Sequence, residues 1–238
     1  MKKIAVIGCG WLGMPLAEKL LKDGYDVIGF ARRPEVLDKL QSIHIPVISR
    51  PFSFEGIDIV ISTITPPKTA ADEEIHHEIA LAAKAADVAQ MIYTSSISVY
   101  PDEAREVQEP DAIEDHPIRL LEKMYAQTFP SSTILRLGGL YGGERHPAKY
   151  LSGRSDLPKP LAPINLVSRE KVIFTIEKVI QKEVIGDIIN VVDAEHPTRK
   201  DYYTAICEQL GIAPPLFSAD ESLGKIVSSK KWNQYIEG

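Results

Sequence analysis

The chain has 238 residues, with 27 basic against 33 acidic side chains and a net charge of −6. A composition 44% hydrophobic and 25% charged is that of a folded globular protein and excludes disordered and fibrous classes. The acidic balance, with no basic block or tail, argues against a nucleic-acid or anionic-membrane partner. Two distant cysteines, Cys9 and Cys207, make neither a disulfide scaffold nor a zinc motif and fit a reducing cytoplasm.

Lys2-Lys3 ahead of Ile4-Ala5-Val6-Ile7 imitates the start of a secretory signal, but three glycines interrupt the stretch and no small-residue cleavage site precedes Glu18. No apolar run approaches the roughly 20 residues of a membrane span. Ile4 to Ile7 reads instead as a short strand. A helix follows with Leu12, Leu16 and Leu20 at four-residue spacing, ended by Asp23-Gly24. Val27 to Phe30 is a second strand, and Pro34 opens a short helix through Leu40, where its missing N–H costs nothing. Val47-Ile48 predicts a weak third strand and Ile57 to Ile61 a strong fourth. An alanine-rich helix from about Glu73 to Val88 leads to a fifth strand at Met91 to Thr94. After a loop rich in proline and acids (Pro101 to Pro117), a helix near Leu120 to Gln127 precedes a sixth strand at Thr133 to Leu137. Near-continuous apolar strands separated by helices imply an α/β fold with a parallel sheet covered on both faces.

The texture changes after Gly143, where Pro147, Pro158, Pro160 and Pro163 indicate extended chain. A helix at about Arg169 to Gln181, a strand at Ile188 to Val192 and a helix capped by Thr198 through Leu210 complete the reading. The expected organisation is a doubly wound domain over residues 1–145 and a small C-terminal lobe over residues 146–238 that returns one strand.

Gly8-Cys9-Gly10-Trp11-Leu12-Gly13 is G-x-G-x-x-G, placed between the first strand and the first helix. That context makes it a dinucleotide-binding signal of the Rossmann type. Gly8 permits the tight turn, Gly10 lets backbone approach a pyrophosphate, and Gly13 lets helix and strand pack closely. The helix N-terminus, with Trp11 and Leu12, offers N–H groups to the phosphates. An NAD site carries a carboxylate about 20 residues further on, for the ribose 2′-OH. Here the second strand ends in Phe30-Ala31-Arg32-Arg33. Guanidinium forks at that place suit a 2′-phosphate, which favours NADP over NAD.

Three further segments are Tyr93-Thr94-Ser95-Ser96-Ile97-Ser98-Val99-Tyr100, Leu135-Arg136-Leu137-Gly138-Gly139-Leu140-Tyr141-Gly142, and Asn190-Val191-Val192-Asp193. With the glycine loop and Asn165-Leu166-Val167-Ser168, they make the chain resemble an atypical branch of the extended short-chain dehydrogenase/reductase family, which includes nucleotide-sugar epimerases and dehydratases. The resemblance spans nearly the whole chain. It implies that Ser96 orients a substrate oxygen and that Ser95 lies near the nicotinamide. It places Thr63 on the adenosine-ribose side, has Leu137 and Gly138 pass the nicotinamide, and puts Arg145 and Lys149 on the substrate side. A homodimer through sheet-flanking helices is also implied.

One part of the pattern is missing. The family's Tyr-x-x-x-Lys pair supplies an acid/base phenol and a lysine that lowers its pKa. No tyrosine here has a lysine four residues later. With Glu122 aligned on the glutamate often found four residues after that lysine, the pair falls on Glu114 and Ile118. Tyr100, His116, and Lys123 or Tyr125 are the conceivable replacements. Adjacent His76-His77 point apart on a helix, so no metal site is expected. Two functions follow: an NADP-dependent oxidoreductase or epimerase-like enzyme acting on a small polar or sugar-derived molecule, or a non-catalytic NADP-binding sensor.

Overall fold

The structure is a computed structural model and describes residues 1–237. Its first half alternates as the apolar runs dictate: β1 (Lys3–Ile7), α1 (Gly13–Lys22), β2 (Asp26–Phe30), α2 (Pro34–Ser42), β3 (Ile59–Ser62), α3 (Ala70–Ala85) and β4 (Gln90–Ser96). There follow β5 (Glu106–Val107), α4 (Pro117–Thr128), β6 (Ser132–Leu137), β7 (Gly139–Tyr141), α5 (Pro147–Leu151), β8 (Leu166–Ser168), α6 (Arg169–Gln181), β9 (Ile188–Val191), α7 (Arg199–Leu210), β10 (Ile226–Val227) and α8 (Lys230–Glu237).

One six-stranded sheet runs in the order β2-β1-β3-β4-β6-β9, and β1 pairs in parallel with both β2 and β3. Strand order reverses direction between β1 and β3, so the crevice beyond their carboxyl ends is the place where such sheets bind ligands. The strands are buried along nearly their whole length, as strands covered on both faces must be. The fold class expected from the sequence is the observed one.

One strand differs. Val47 makes only an isolated bridge to Gly29 on the outer side of β2, with Gly29 N–H donating to Pro46 and Ile48 N–H to Gly29 at 2.9 Å each. The pairing ends there because no second residue continues it, so Val47-Ile48 is not a third strand and the sheet takes its sixth strand from β9. The loop from Pro101 to Pro117 is also more ordered than expected, since its β5 pairs in parallel with β10.

The chain divides into two compact units. The first holds residues 1–96, 114–136 and 173–188. Its core packs Ile75, Ile79, Ala80 and Ala83 of α3 and Leu121 and Tyr125 of α4 on Ala5, Ile7, Val60, Met91 and Tyr93 of the sheet. The second holds residues 97–113, 137–172 and those from 189 onward. It carries a smaller core of Ala148, Ile164, Leu166, Tyr203 and Cys207 and the parallel pair of β7 with β8.

Candidate functional site

The glycine loop is built as its spacing requires. Gly8 has φ +104°, and a Cβ there would lie 3.0 Å from the Ile64 nitrogen. At Gly13 a Cβ would stand 2.3 Å from the Gly8 carbonyl oxygen and 2.6 Å from Thr63 Oγ1, so a side chain would push α1 off the turn. Gly10 is different, because a Cβ there would meet nothing nearer than 3.9 Å. No protein atom demands glycine at that position, and a ligand approaching the backbone would. Thr63 fastens the arrangement, donating from Oγ1 to the Gly8 carbonyl at 2.7 Å. Leu12 at the N-terminus of α1 gives no side-chain cap, and the first turn holds no acid, which leaves the positive end of the helix dipole to an anion. Trp11 is half-buried and Leu12 buried beside it.

A pocket opens at the exits of the first three strands, lined by Gly8, Cys9 and Gly10, by Phe30 to Arg33 with Val36, and by Ile64 and Thr65. Arg32 and Arg33 are exposed at its rim. The Arg32 guanidinium lies 3.1 Å from Asp72 on α3, and Arg33 lies 3.5 Å from Glu35. Asp72 is held below the usual carboxylate range, first by the Thr69 hydroxyl, then by the Lys68 N–H and by Arg32. Cys9 faces into the fold with its thiol toward the Val6 carbonyl at 3.3 Å, and burial pushes that thiol up to about 12, which fits a packing residue. Both the turn and the open face at Gly10 fit a dinucleotide.

Ser95 and Ser96 end β4. Ser95 is buried and donates to Glu122 Oε1 at 2.6 Å. Glu122 also receives Arg136 through Nε at 3.0 Å and Nη2 at 2.7 Å, and Arg119 Nη1 at 3.2 Å. Both Glu122 and Arg136 are completely buried. A charge in the apolar strand Thr133-Ile134-Leu135-Arg136-Leu137 is the one sequence feature that could have hinted at a buried partner here, since buried charges require partners. α4 starts at Pro117, so Glu114 precedes the helix and Ile118 sits in its first turn. Glu114 is exposed and paired with Lys123. Neither position carries an acid/base pair.

The other expected residues have defined surroundings. His116 caps α4, its Nδ1 accepting from the Ile118 N–H at 3.2 Å. Tyr125 is buried against His76. In the second unit, Tyr100 is buried and donates to Asn190 Oδ1 at 2.6 Å. Gly138 also lies there, where a Cβ would stand 2.8 Å from the Asn165 carbonyl oxygen, next to buried Leu137. Arg145 is exposed and bridges to Gly142, and Lys149 donates to the Glu144 carbonyl at 3.0 Å. Near them, Tyr141 donates to Asp193 at 2.9 Å, and the His146 ring pairs with the Tyr202 hydroxyl at 3.1 Å. Burial and then Asp193 drive the Tyr141 phenol far above its ordinary value, which unsuits it as a proton donor near neutrality. Tyr141 and Asp193 stand in segments the sequence marks, but their pairing and the partnership of His146 with Tyr202 arise only from the tertiary fold. Among the described residues no cluster of histidine, cysteine and acids could hold a metal ion, and no helix is long and apolar enough to cross a membrane.

A glycine loop of this construction, at the reversal point of a parallel sheet, defines a nucleotide-cofactor fold. The chain belongs to the NAD(P)H-binding family, whose profile matches residues 8–182. It is 31% identical to Protein YeeZ of Escherichia coli K12, over 97% of this chain and 93% of that one. Among solved structures it resembles a functionally unknown conserved protein from Silicibacter pomeroyi, with a TM-score of 0.81 and 20% identity over 100% of this chain and 93% of that one. UDP-glucuronic acid 4-epimerase from Bacillus cereus, in complex with NAD, superposes with a TM-score of 0.78 and 18% identity, covering 98% and 89%. The fold is thus that of the extended short-chain dehydrogenase/reductase, epimerase-like proteins.

Proposed function

We propose that the chain is a cytoplasmic NADP-dependent oxidoreductase or epimerase-like enzyme acting on a small polar or sugar-derived substrate. The observation that carries this reading is the pocket itself. It joins a glycine cradle with an open face at Gly10 to a rim where two arginines replace the expected carboxylate. When bound, the nicotinamide supplies or accepts a hydride. The protein's own part is to seat the phosphates on the N-terminus of α1 and to engage a 2′-phosphate with Arg32 and Arg33. Ser96 would hold the substrate oxygen, and Arg145 and Lys149 would bind anionic parts of the substrate. The epimerase named above acts on a UDP-sugar acid, which makes nucleotide sugars the first class to try.

NADPH absorbance across a panel of carbonyl compounds, together with chromatographic detection of epimer formation from nucleotide sugars in the presence of NADP, tests the enzyme reading. Net oxidation or epimer formation with at least one substrate, reduced about a hundredfold or more in Ser96→Ala, is expected. Neither outcome anywhere in the panel would favour the second reading, a non-catalytic NADP-binding sensor. One observation supports that alternative directly: α4 begins too late to present a Tyr-x-x-x-Lys pair, and Glu114 and Ile118 stand at those positions. A sensor requires a partner captured differently with and without NADPH.

A further inference from the structure

His76 lies on α3, is completely buried, and belongs to no motif the cofactor loop uses. Its Nε2 lies 3.2 Å from the Thr65 carbonyl oxygen and its Nδ1 2.8 Å from the Tyr125 hydroxyl. A carbonyl oxygen can only accept, so Nε2 carries the proton and donates. In the neutral ring Nδ1 then accepts from the Tyr125 O–H. The imidazole stands edge-on to Tyr93 at 5.6 Å and to Tyr125 at 5.8 Å, and those two phenols stack at 4.5 Å. The stacked phenols form one aromatic wall that meets the imidazole edge-on and restricts its orientation.

The far end of this contact is the pocket. Ile64 and Thr65 line it together with Phe30 and Ala31. They belong to the segment after β3, which has no regular structure. Thr63 is anchored to β1 and the glycine loop, by its N–H to Ile7 at 2.8 Å and its hydroxyl to Gly8 at 2.7 Å. Pro66 and Pro67 come next and have no N–H to offer. The chain leaving Thr63 therefore needs a side-chain anchor, and His76 provides one at Thr65.

We propose that His76 is a positioning residue of the cofactor site, its Nε2–H holding the Thr65 carbonyl so that Ile64 and Thr65 wall the pocket. This rests on the cofactor assignment above and goes beyond it, because His76 does not itself line the pocket and acts only through Thr65. Burial pulls the imidazole below the ordinary histidine range. The Thr65 carbonyl and the charges of Asp72 and Glu73 work against that pull, and neighbouring His77 works with it. The titratable groups facing it from α4 and β4 are the phenols of Tyr125 and Tyr93, both of which burial raises. A proton added at Nδ1 would face the Tyr125 O–H donor to donor, so the arrangement belongs to the neutral ring.

The test is a fluorescence titration of NADPH into the whole protein and into His76→Gln and His76→Asn, with thermal unfolding of each. Glutamine can place an amide N–H at the Nε2 position, whereas asparagine, one methylene shorter, places its amide near Nδ1 and out of reach of the Thr65 carbonyl. His76→Gln is expected to bind within about threefold of the unmodified protein, and His76→Asn roughly tenfold or more weakly, at similar unfolding temperatures. Tyr125→Phe, which spares the Thr65 bond, is expected within about threefold, should His76→Asn fail to fold. Long-range ¹H–¹⁵N spectra of the unmodified protein are expected to show the Nε2–H tautomer. Equal affinities for the two histidine variants, or an Nδ1–H tautomer, overturn the role of His76 alone. Absence of NADPH and NADH binding to the unmodified protein overturns the cofactor assignment and this inference with it.

Discussion

Gly10 and Gly13 stand three positions apart in one turn and lack a side chain for opposite reasons. At Gly13 the protein itself fills the space, with the Gly8 carbonyl oxygen 2.3 Å from where a Cβ would be, while at Gly10 the nearest atom is 3.9 Å away. Gly13→Ala must shift backbone at the junction of α1 with β1 and β3. It is expected to cost about 1–3 kcal/mol of stability, seen in urea unfolding, and to weaken cofactor binding as a consequence. Gly10→Ala is expected to leave stability within about 0.5 kcal/mol and yet to weaken NADPH binding. The two variants therefore separate folding from binding within one motif. Asp72 gives a third prediction at this scale. Its carboxylate holds Arg32 at 3.1 Å and would compete with a 2′-phosphate for it on the proposed reading, so Asp72→Asn is expected to raise the ratio of NADPH to NADH affinity in paired titrations.

At the scale of elements, α4 and β6 are tied together by charge as well as by packing. Glu122 on α4 accepts from Arg136 on β6 and from Ser95 on β4, and both charged groups are fully buried. Removing one member strands the other in a medium that solvates it poorly. Glu122→Leu is accordingly expected to cost about 3–5 kcal/mol, and the double change Glu122→Leu with Arg136→Met distinctly less than the sum of the single changes. Denaturant unfolding in a double-mutant cycle measures this. His76 makes the same region sensitive to acid. Its folded pKa is depressed, so between the folded value and the ordinary histidine value of about 6.5 the unfolded chain holds more protons than the folded one. Stability is therefore full above about pH 6.5 and falls as the pH drops below it. His76→Gln is expected to flatten that slope in unfolding measurements between about pH 7.5 and pH 5.

The same elements show how far the sequence could be read. β1, β3 and β6 announced themselves because a strand buried on both faces must be apolar throughout, and α6 is observed over Arg169–Gln181 as its periodicity indicated. Val47-Ile48 carries the same residue types as a strand, but its partner edge offers pairing at Gly29 only. β5 and β10 were not legible, because two residues show no periodicity and the partners meet from distant parts of the chain. The cofactor turn could be read in full, since its glycines answer to local backbone geometry. Glu122 could be placed only through the family pattern, and its partners Ser95, Arg119 and Arg136 converge on it through tertiary packing.

For the whole molecule, length and acidity set the outline and the interleaved units supply the detail. Both the glycine pocket and the Glu122 cluster lie in the first unit, whereas Tyr100, Arg145 and Lys149 lie in the second. On the function proposed above, the phosphate-binding turn would belong to the first unit, and Leu137, Gly138, Arg145 and Lys149 would come from the second. The fold carries the glycine turn and pocket of an NAD(P)H-binding protein, while no Tyr-x-x-x-Lys pair stands in the sequence. Calorimetric titration with NADPH and NADH, repeated on Arg32→Ala and Arg33→Ala, tests this most directly. NADPH is expected to bind more tightly than NADH by roughly tenfold or more, and either arginine variant to narrow the gap by weakening NADPH alone. Equal affinity for the two cofactors in the unmodified protein would contradict the 2′-phosphate assignment, and binding of neither would contradict the cofactor site itself.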